Sequence, residues 1–400
     1  MNDKQPTGFL DDDARPFWAG VISLSLGVFG LVTAEFLPAS LLTPMSHDLG
    51  VSIGAAGQSV TMTAVVGAIA GPAVVVATSR FDRRYTLLGL TALLILSSAL
   101  AALSSGMSML LLSRALLGIG LGGFWAMSLA LAMRLVPERL MPRAMAIIMG
   151  GVSAATVCAA PVGAWVGELM GWRSAFVITG VLGVVALLAQ ALTLPAMPST
   201  GSSNLGTMAT VLRRPVIRIG LLTILLVVAG HFAGFTFIRP FLEDVPHFGV
   251  EGVSGTLLAF GIGGFFGNFF GGFVSERNTA LSITLAAAGI AIAAFVLSFA
   301  GASPVIATVA TTFWGFAFGA LPVSVQSFVT QAASDEPESA GALTLTTFQV
   351  AISSGAVFGG LIVGPHGPAG VLAFAGLSAL LGAALIGFAG RTRLADPAEA

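Results

Sequence analysis

From Phe17 almost to its end, the chain alternates long apolar runs with short polar breaks carrying arginine, proline or glycine. A boundary at each charge cluster and each Pro/Gly break predicts twelve helices. They cover 17–42, 54–79, 85–104, 109–135, 141–167 and 172–194, then 216–242, 252–274, 279–300, 304–332, 338–364 and 368–390. Each run is long enough for a tilted helix to cross about 30 Å of hydrocarbon at roughly 1.5 Å per residue. Composition points the same way: 56% of residues are hydrophobic and 9% charged, with a mean hydropathy of +0.96. A water-soluble domain cannot hide that much apolar surface, so the expected fold class is an all-α integral membrane protein.

Basic residues orient it. All but three of the 17 Lys and Arg fall on one side if both termini lie there. They include Lys4 and Arg15 in the N-terminal arm, Arg80, Arg83 and Arg84, then Arg134, Arg139 and Arg143. Arg213, Arg214, Arg218, Arg277, Arg391 and Arg393 complete the set. Arg173 lies on the opposite side, Arg239 near the far end of its span, and Arg114 inside one. Cytoplasmic loops accumulate Lys and Arg, so both termini are expected in the cytoplasm. A single lysine among the basic residues hints at a GC-rich bacterial genome, hence an inner membrane. The one cysteine, Cys158, excludes an internal disulfide, and the four histidines show no metal-ligand spacing. No basic patch suited to nucleic acid is present.

The longest polar break, containing Pro198 to Asn204, divides the spans six and six. The expected organisation is an N-terminal six-helix bundle over 1–194, a cytoplasmic linker over 195–215, and a C-terminal bundle over 216–400, enclosing a central cavity. The basic turn Ser79-Arg80-Phe81-Asp82-Arg83-Arg84 after the second span is echoed by Ser275-Glu276-Arg277 after the eighth, as two six-helix repeats would leave. Small-residue faces recur too: Pro161, Gly163, Gly167 and Gly171 in the fifth helix, Gly261 to Gly272 in the eighth, Gly355 to Gly364 in the eleventh. Such faces let backbones approach closely, and the fifth and eleventh are expected to form a moving seam between the halves.

Three ionisable residues lie deep in spans: Glu35, Arg114 and His231. A buried charge costs about 2.5 kcal/mol or more, so these groups pair, protonate or face water. Arg114 either braces backbone carbonyls or takes part in coupling directly. The His231 imidazole either is a satisfied polar residue on an apolar helix or serves as a proton relay or in recognition of a base. Helix-rise arithmetic puts Glu35 roughly 27 Å from the start of its span, His231 roughly 22 Å from its start, and Arg114 roughly 8 Å below the far end of its own. All three therefore fall in the far half of the membrane. Polar and aromatic side chains suited to a substrate are Gln58, Ser59, Thr61 and Thr63 in the second helix and Phe124, Trp125 and Ser128 in the fourth. Phe235, Asn268, Gln326, Gln331, Thr346 and Gln349 are their second-half counterparts. Rings stack on a planar base, and amides and hydroxyls read its edge. Catalytic pairs, metal clusters and a P-loop are absent from the sequence, so an enzyme and an ATP-driven pump are not expected.

Several stretches resemble the major facilitator superfamily, specifically its twelve-helix proton-coupled efflux branch. They are Thr33-Ala34-Glu35-Phe36-Leu37-Pro38 with Leu41-Leu42-Thr43-Pro44, Arg114 with Gly118, and Gly171-Trp172-Arg173. Ala56-Gly57-Gln58-Ser59-Val60-Thr61 and Leu121 to Ser128 are similar to members exporting purine ribonucleosides; Phe237-Ile238-Arg239-Pro240 and Trp314-Gly315 carry the likeness into the second half. In the 2–3 loop Ser79 stands at the family's Asp position and Asp82 at a Gly position, while Arg80, Arg83 and Arg84 persist. In the fifth helix Ala160-Pro161 replaces Gly-Pro. The resemblance implies a monomeric secondary transporter that needs no cofactor. It would export purine nucleosides against inbound protons, with Glu35, Arg114 and His231 coupling; the alternative cargo is a sugar, a drug or another small metabolite. Helices 1, 4 and 7 line the cavity in that fold.

Overall fold

A computed structural model describes residues 15–78, 80–137, 140–197, 205–333 and 335–393, and the apolar runs in it are helices. Before the central break lie α1 (Trp18–Leu49), α2 (Ile53–Ala77), α3 (Arg83–Ala102), α4 (Met107–Leu135), α5 (Met141–Met170) and α6 (Trp172–Thr193). After it come α7 (Leu205–Leu212), α8 (Pro215–Thr236), α9 (Ile238–Asp244), α10 (Val250–Ser275), α11 (Thr279–Ala300), α12 (Pro304–Ala332) and α13 (Pro337–Arg393). α13 is two helices joined at Gly367, whose φ of 66° suits a residue without a Cβ. Counting that joint, twelve helices among the described residues are long and apolar enough to cross a membrane. Lys4, Ser79, Arg139 and 198–204 lie outside the described residues.

Three boundaries differ from the pattern reading, each for a reason of backbone chemistry. α1 runs seven residues past the expected end at 42, through Pro44 to Leu49. The seventh run breaks after Thr236, with Phe237 at φ −108° and ψ 19° joining α8 to α9. Pro240 offers no N–H to the carbonyl of Thr236 and crowds it, so the helix ends there and restarts. The linker is not structureless either: α7 forms in it and buries Val211 against the C-terminal core.

The packing of α1–α6 is repeated by α8–α13. α2 lies along α4 and α10 along α12; α1 packs on α5 and α8 on 337–366; α3 packs on α6 and α11 on 368–393. Glycine makes the first of these pairings possible. A Cβ on Gly122 would overlap the Gly67 carbonyl, and one on Gly267 or Gly319 would overlap the carbonyls of Phe316 or Gly264. Between the two sets, α2 meets α13 and α5 meets α10. The expected glycine seam is therefore only partly where it was placed. Gly163 and Gly167 of α5 face Leu37, Ser40 and Leu41 of α1, inside their own half, and Gly355 faces Ala229 of α8. Glycine contacts between the halves include Gly54 against Gly360, Gly57 against Phe237, Gly67 against Gln349, and Gly261 against Val157. A helix has several faces, and glycine spacing alone does not say which neighbour each one takes.

Candidate functional site

α1 contains the chemistry that organises the centre. A proline in a helix has no N–H for the carbonyl four residues before it, and the helix is about 3 kcal/mol poorer for it. Pro38 thus frees the carbonyl of Ala34, and Pro44 frees that of Ser40. Both are taken by arginine. Arg114 of α4, fully buried, donates from Nη1 to the Ala34 oxygen at 2.9 Å and from Nη2 to Ser97 Oγ at 3.4 Å. Its guanidinium also lies 5.0 Å from the centre of the Phe176 ring. Arg239 of α9, 3% exposed, donates from Nη1 to the Ser40 oxygen at 2.7 Å. Arg114 makes the backbone hydrogen bond that the bracing role requires and grips α1 beside Glu35. No ion pair joins its guanidinium to the Glu35 carboxylate among the described residues.

Next to Glu35, Phe36 enters a cluster of rings centred on His231. The His231 imidazole stacks on Phe318 with ring centres 3.5 Å apart and planes 2° from parallel. Phe235 stacks at 5.5 Å, Phe260 at 6.2 Å, and Trp314 meets its edge at 5.4 Å. Phe36 joins from the other half, 6.2 Å from Phe232 and 5.9 Å from Phe235. Helical spacing assembles the group: His231 and Phe235, like Trp314 and Phe318, are four residues apart and share a face. His231 is fully buried, yet neither ring nitrogen has a hydrogen-bond partner. Trp314 Nε1 and Thr311 Oγ1, one turn earlier on α12, are also unpartnered, as are Thr33 and Thr61 Oγ1 and Gln349 Oε1. Each unmet buried polar group costs about 1–3 kcal/mol, so the unpartnered His231, Trp314 and Thr311 atoms at one cluster call for an explanation. Flat apolar faces beside unused donors and acceptors suit a planar heteroaromatic molecule.

The other residues singled out in the sequence separate clearly. His231 and Phe235 are in the cluster. Gln349 is buried against Gly67 of α2, and Gln58 lies against Gly360 of α13, both at the contact between halves. Phe124 is not brought to the site: it is fully buried in the N-terminal core beneath Gly27. Trp125 is half-buried, and Ser128 donates to the Trp125 carbonyl of its own helix. Asn268 and Gln326 are exposed on α10 and α12. In the 2–3 loop, Arg80 is exposed. Asp82 caps α3 through Arg84 N at 2.8 Å and holds Met197 N at 3.0 Å. Arg83 reaches Thr78 Oγ1 at 3.3 Å and Arg84 the Ala191 carbonyl at 2.6 Å, so this loop ties α3 to the end of α6. Pro161 is buried in α5 and frees the Val157 carbonyl, beside which Gly261 of α10 sits. Sequence reasoning missed Phe36, Phe232, Phe260, Trp314 and Phe318 as a group; the four-residue spacing on α8 and α12 was the available signal.

A family model described as the Major Facilitator Superfamily matches residues 24–356. The chain belongs to the major facilitator superfamily. It is 40% identical over 376 residues to "Purine ribonucleoside efflux pump NepI" of Escherichia coli (strain K12), covering 94% of this chain and 95% of that protein. The protein of the same name from Shigella dysenteriae serotype 1 is 39% identical over the same length. Among solved structures, a bacterial homologue of the human lysosomal transporter Spinster, inward-facing and occupied, superposes with a TM-score of 0.78. It is 18% identical, and the match covers 96% of this chain and all of that one. The human organic anion transporter MFSD10 superposes with a TM-score of 0.68 at 14% identity. These two likenesses concern the fold.

Proposed function

We infer that this protein exports purine nucleosides, or close base analogues, across a bacterial inner membrane in exchange for inbound protons, with both termini in the cytoplasm. The observation that carries the reading is the ring cluster around His231 at the meeting of the two halves. Its ring faces, here stacked on one another, would take a purine between them when the halves part, and its unpartnered nitrogens would meet the base's edge. The 40% identity to pumps named for purine ribonucleosides supports the same cargo. Glu35 is the proton-carrying carboxylate of this reading: it sits beside the cluster on α1, and Arg114 holds its backbone in place. A sugar lacks the aromatic faces that a purine would stack on these rings.

The test is uptake of labelled inosine into everted vesicles under an imposed proton gradient, with adenosine, a disaccharide and a cationic drug as competitors. Gradient-driven uptake blocked by adenosine alone supports the reading. Replacing Trp314 with Ala should raise half-saturation about tenfold, since one base–aromatic stack is worth about 1–3 kcal/mol. Uptake blocked by the sugar or the drug and not by adenosine would remove the purine assignment.

A further inference from the structure

Beyond the ring cluster, toward the side of the membrane where α1 ends, a second polar group joins the two halves. Arg239 is its centre. Its Nε donates to Glu243 Oε1 at 2.7 Å, its Nη1 to the Ser40 carbonyl at 2.7 Å, and its Nη2 lies 3.8 Å from Glu168 Oε2. Thr43 Oγ1 donates to the second oxygen of Glu243 at 2.6 Å. Arg239 and Glu243 belong to α9; Ser40 and Thr43 belong to α1, and Glu168 to α5. Just before them, Phe237 presses on Gly57 and Gly359 and is buried with Leu42, Ala56, Ala233 and Val363. Side chains from both halves thus meet on the far side of the ring cluster.

We propose that Arg239, with Glu243, Thr43 and the Ser40 carbonyl, is the far-side gate of the transport cycle, and that Pro44 creates its docking point. A permanent contact between helices would need no exchangeable charge. Here one arginine holds a carbonyl of one half and a carboxylate of the other, and the side chains of Glu243 and Glu168 remain 24% and 50% exposed. Water can take over those hydrogen bonds when the halves part, so opening is reversible. The Ser40 carbonyl is ready to accept in both states because Pro44 leaves it without its helical donor. Arg239 is a positioning residue: it governs access to the site and does not touch cargo. The gate does not depend on the identity of that cargo.

Accessibility from the far side reads the gate without transport. In a Cys158→Ser background, Gln58→Cys at the α2–α13 contact is labelled by an impermeant maleimide in right-side-out and everted vesicles. Thr43→Val, Glu243→Gln and Pro44→Ala should each raise labelling from the far side about fivefold, the worth of one hydrogen bond. Pro38→Ala, the same change inside one half, should leave it unchanged. Arg239→Ala should raise it most, and the three milder variants carry the test if that protein does not fold. Gel filtration and the melting midpoint certify folding. Unchanged labelling in all three folded variants, or an equal rise in Pro38→Ala, overturns the gate; a rise confined to everted vesicles supports it and reverses the topology instead.

Discussion

Arg114 and Arg239 meet the same helix by the same chemistry, six residues apart, and their surroundings separate them. Each donates to an α1 carbonyl that a proline has freed. Arg114 comes from the same half and is sealed among Ser97 and Phe176, with no ion pair to Glu35 among the described residues. Arg239 comes from the other half and has two partly exposed carboxylates to share. The first arrangement is costly to break because nothing replaces its hydrogen bonds. The second can be exchanged for water. An arginine on a freed carbonyl is thus a brace or a latch according to which half supplies it and whether water can reach its partners.

The largest effect is expected at the brace. Arg114→Ala strands the buried Ala34 carbonyl and leaves a cavity, at a cost of about 3 kcal/mol or more; the melting midpoint in detergent should fall by several degrees, with export and binding both impaired. Arg239→Ala should lower stability less and cut export more than tenfold. Equal melting losses in the two variants would erase the distinction. Glu35→Gln is expected to abolish gradient-driven export while counterflow, the exchange of labelled for unlabelled substrate, persists. An unchanged pH profile in that variant would move the proton site elsewhere, His231 being next.

Much of the fold was legible because an apolar run must find lipid whatever its neighbours are. The three intramembrane ionisable residues stood out for the same reason. What was misread depends on partners distant in sequence. Pro44 reads locally as a stop, and only Arg239, nearly two hundred residues later, satisfies the carbonyl it frees. The ring cluster was hidden by abundance: with 28 phenylalanines, the pairings of Phe36, Phe260 and Phe318 depend on how four helices pack. Gly163 was noticed for its size, but its partner was decided by the rotation of α5.

The smallest effect belongs to a third arginine, which sets the exposed limit of the comparison. Arg214 at the start of α8 forms a double hydrogen bond to Asp335, at 2.7 and 2.5 Å, in the α12–α13 connection. That bond pulls the Asp335 carboxyl from its ordinary value of 3.8 down to about 2. Because the folded-state value is depressed, the contribution is present above about pH 4 and is lost as pH falls through about 2. Solvent screens the pair, so Asp335→Asn should leave the neutral-pH melting midpoint within error, whereas a loss rivalling that of Arg239→Ala would show that burial is not what separates these arginines.

The most direct test of brace against latch is a pair of reversible crosslinks at similar depth. In a Cys158→Ser background, Thr43→Cys with Glu243→Cys bridges the halves, while Asp48→Cys with Arg173→Cys replaces an ion pair within one half. Each pair is closed with a short bifunctional thiosulfonate and reopened with reductant while export is followed. Export should stop in the first pair and return on reduction, with the second unaffected. Continued export with Thr43→Cys and Glu243→Cys fully crosslinked would contradict the account.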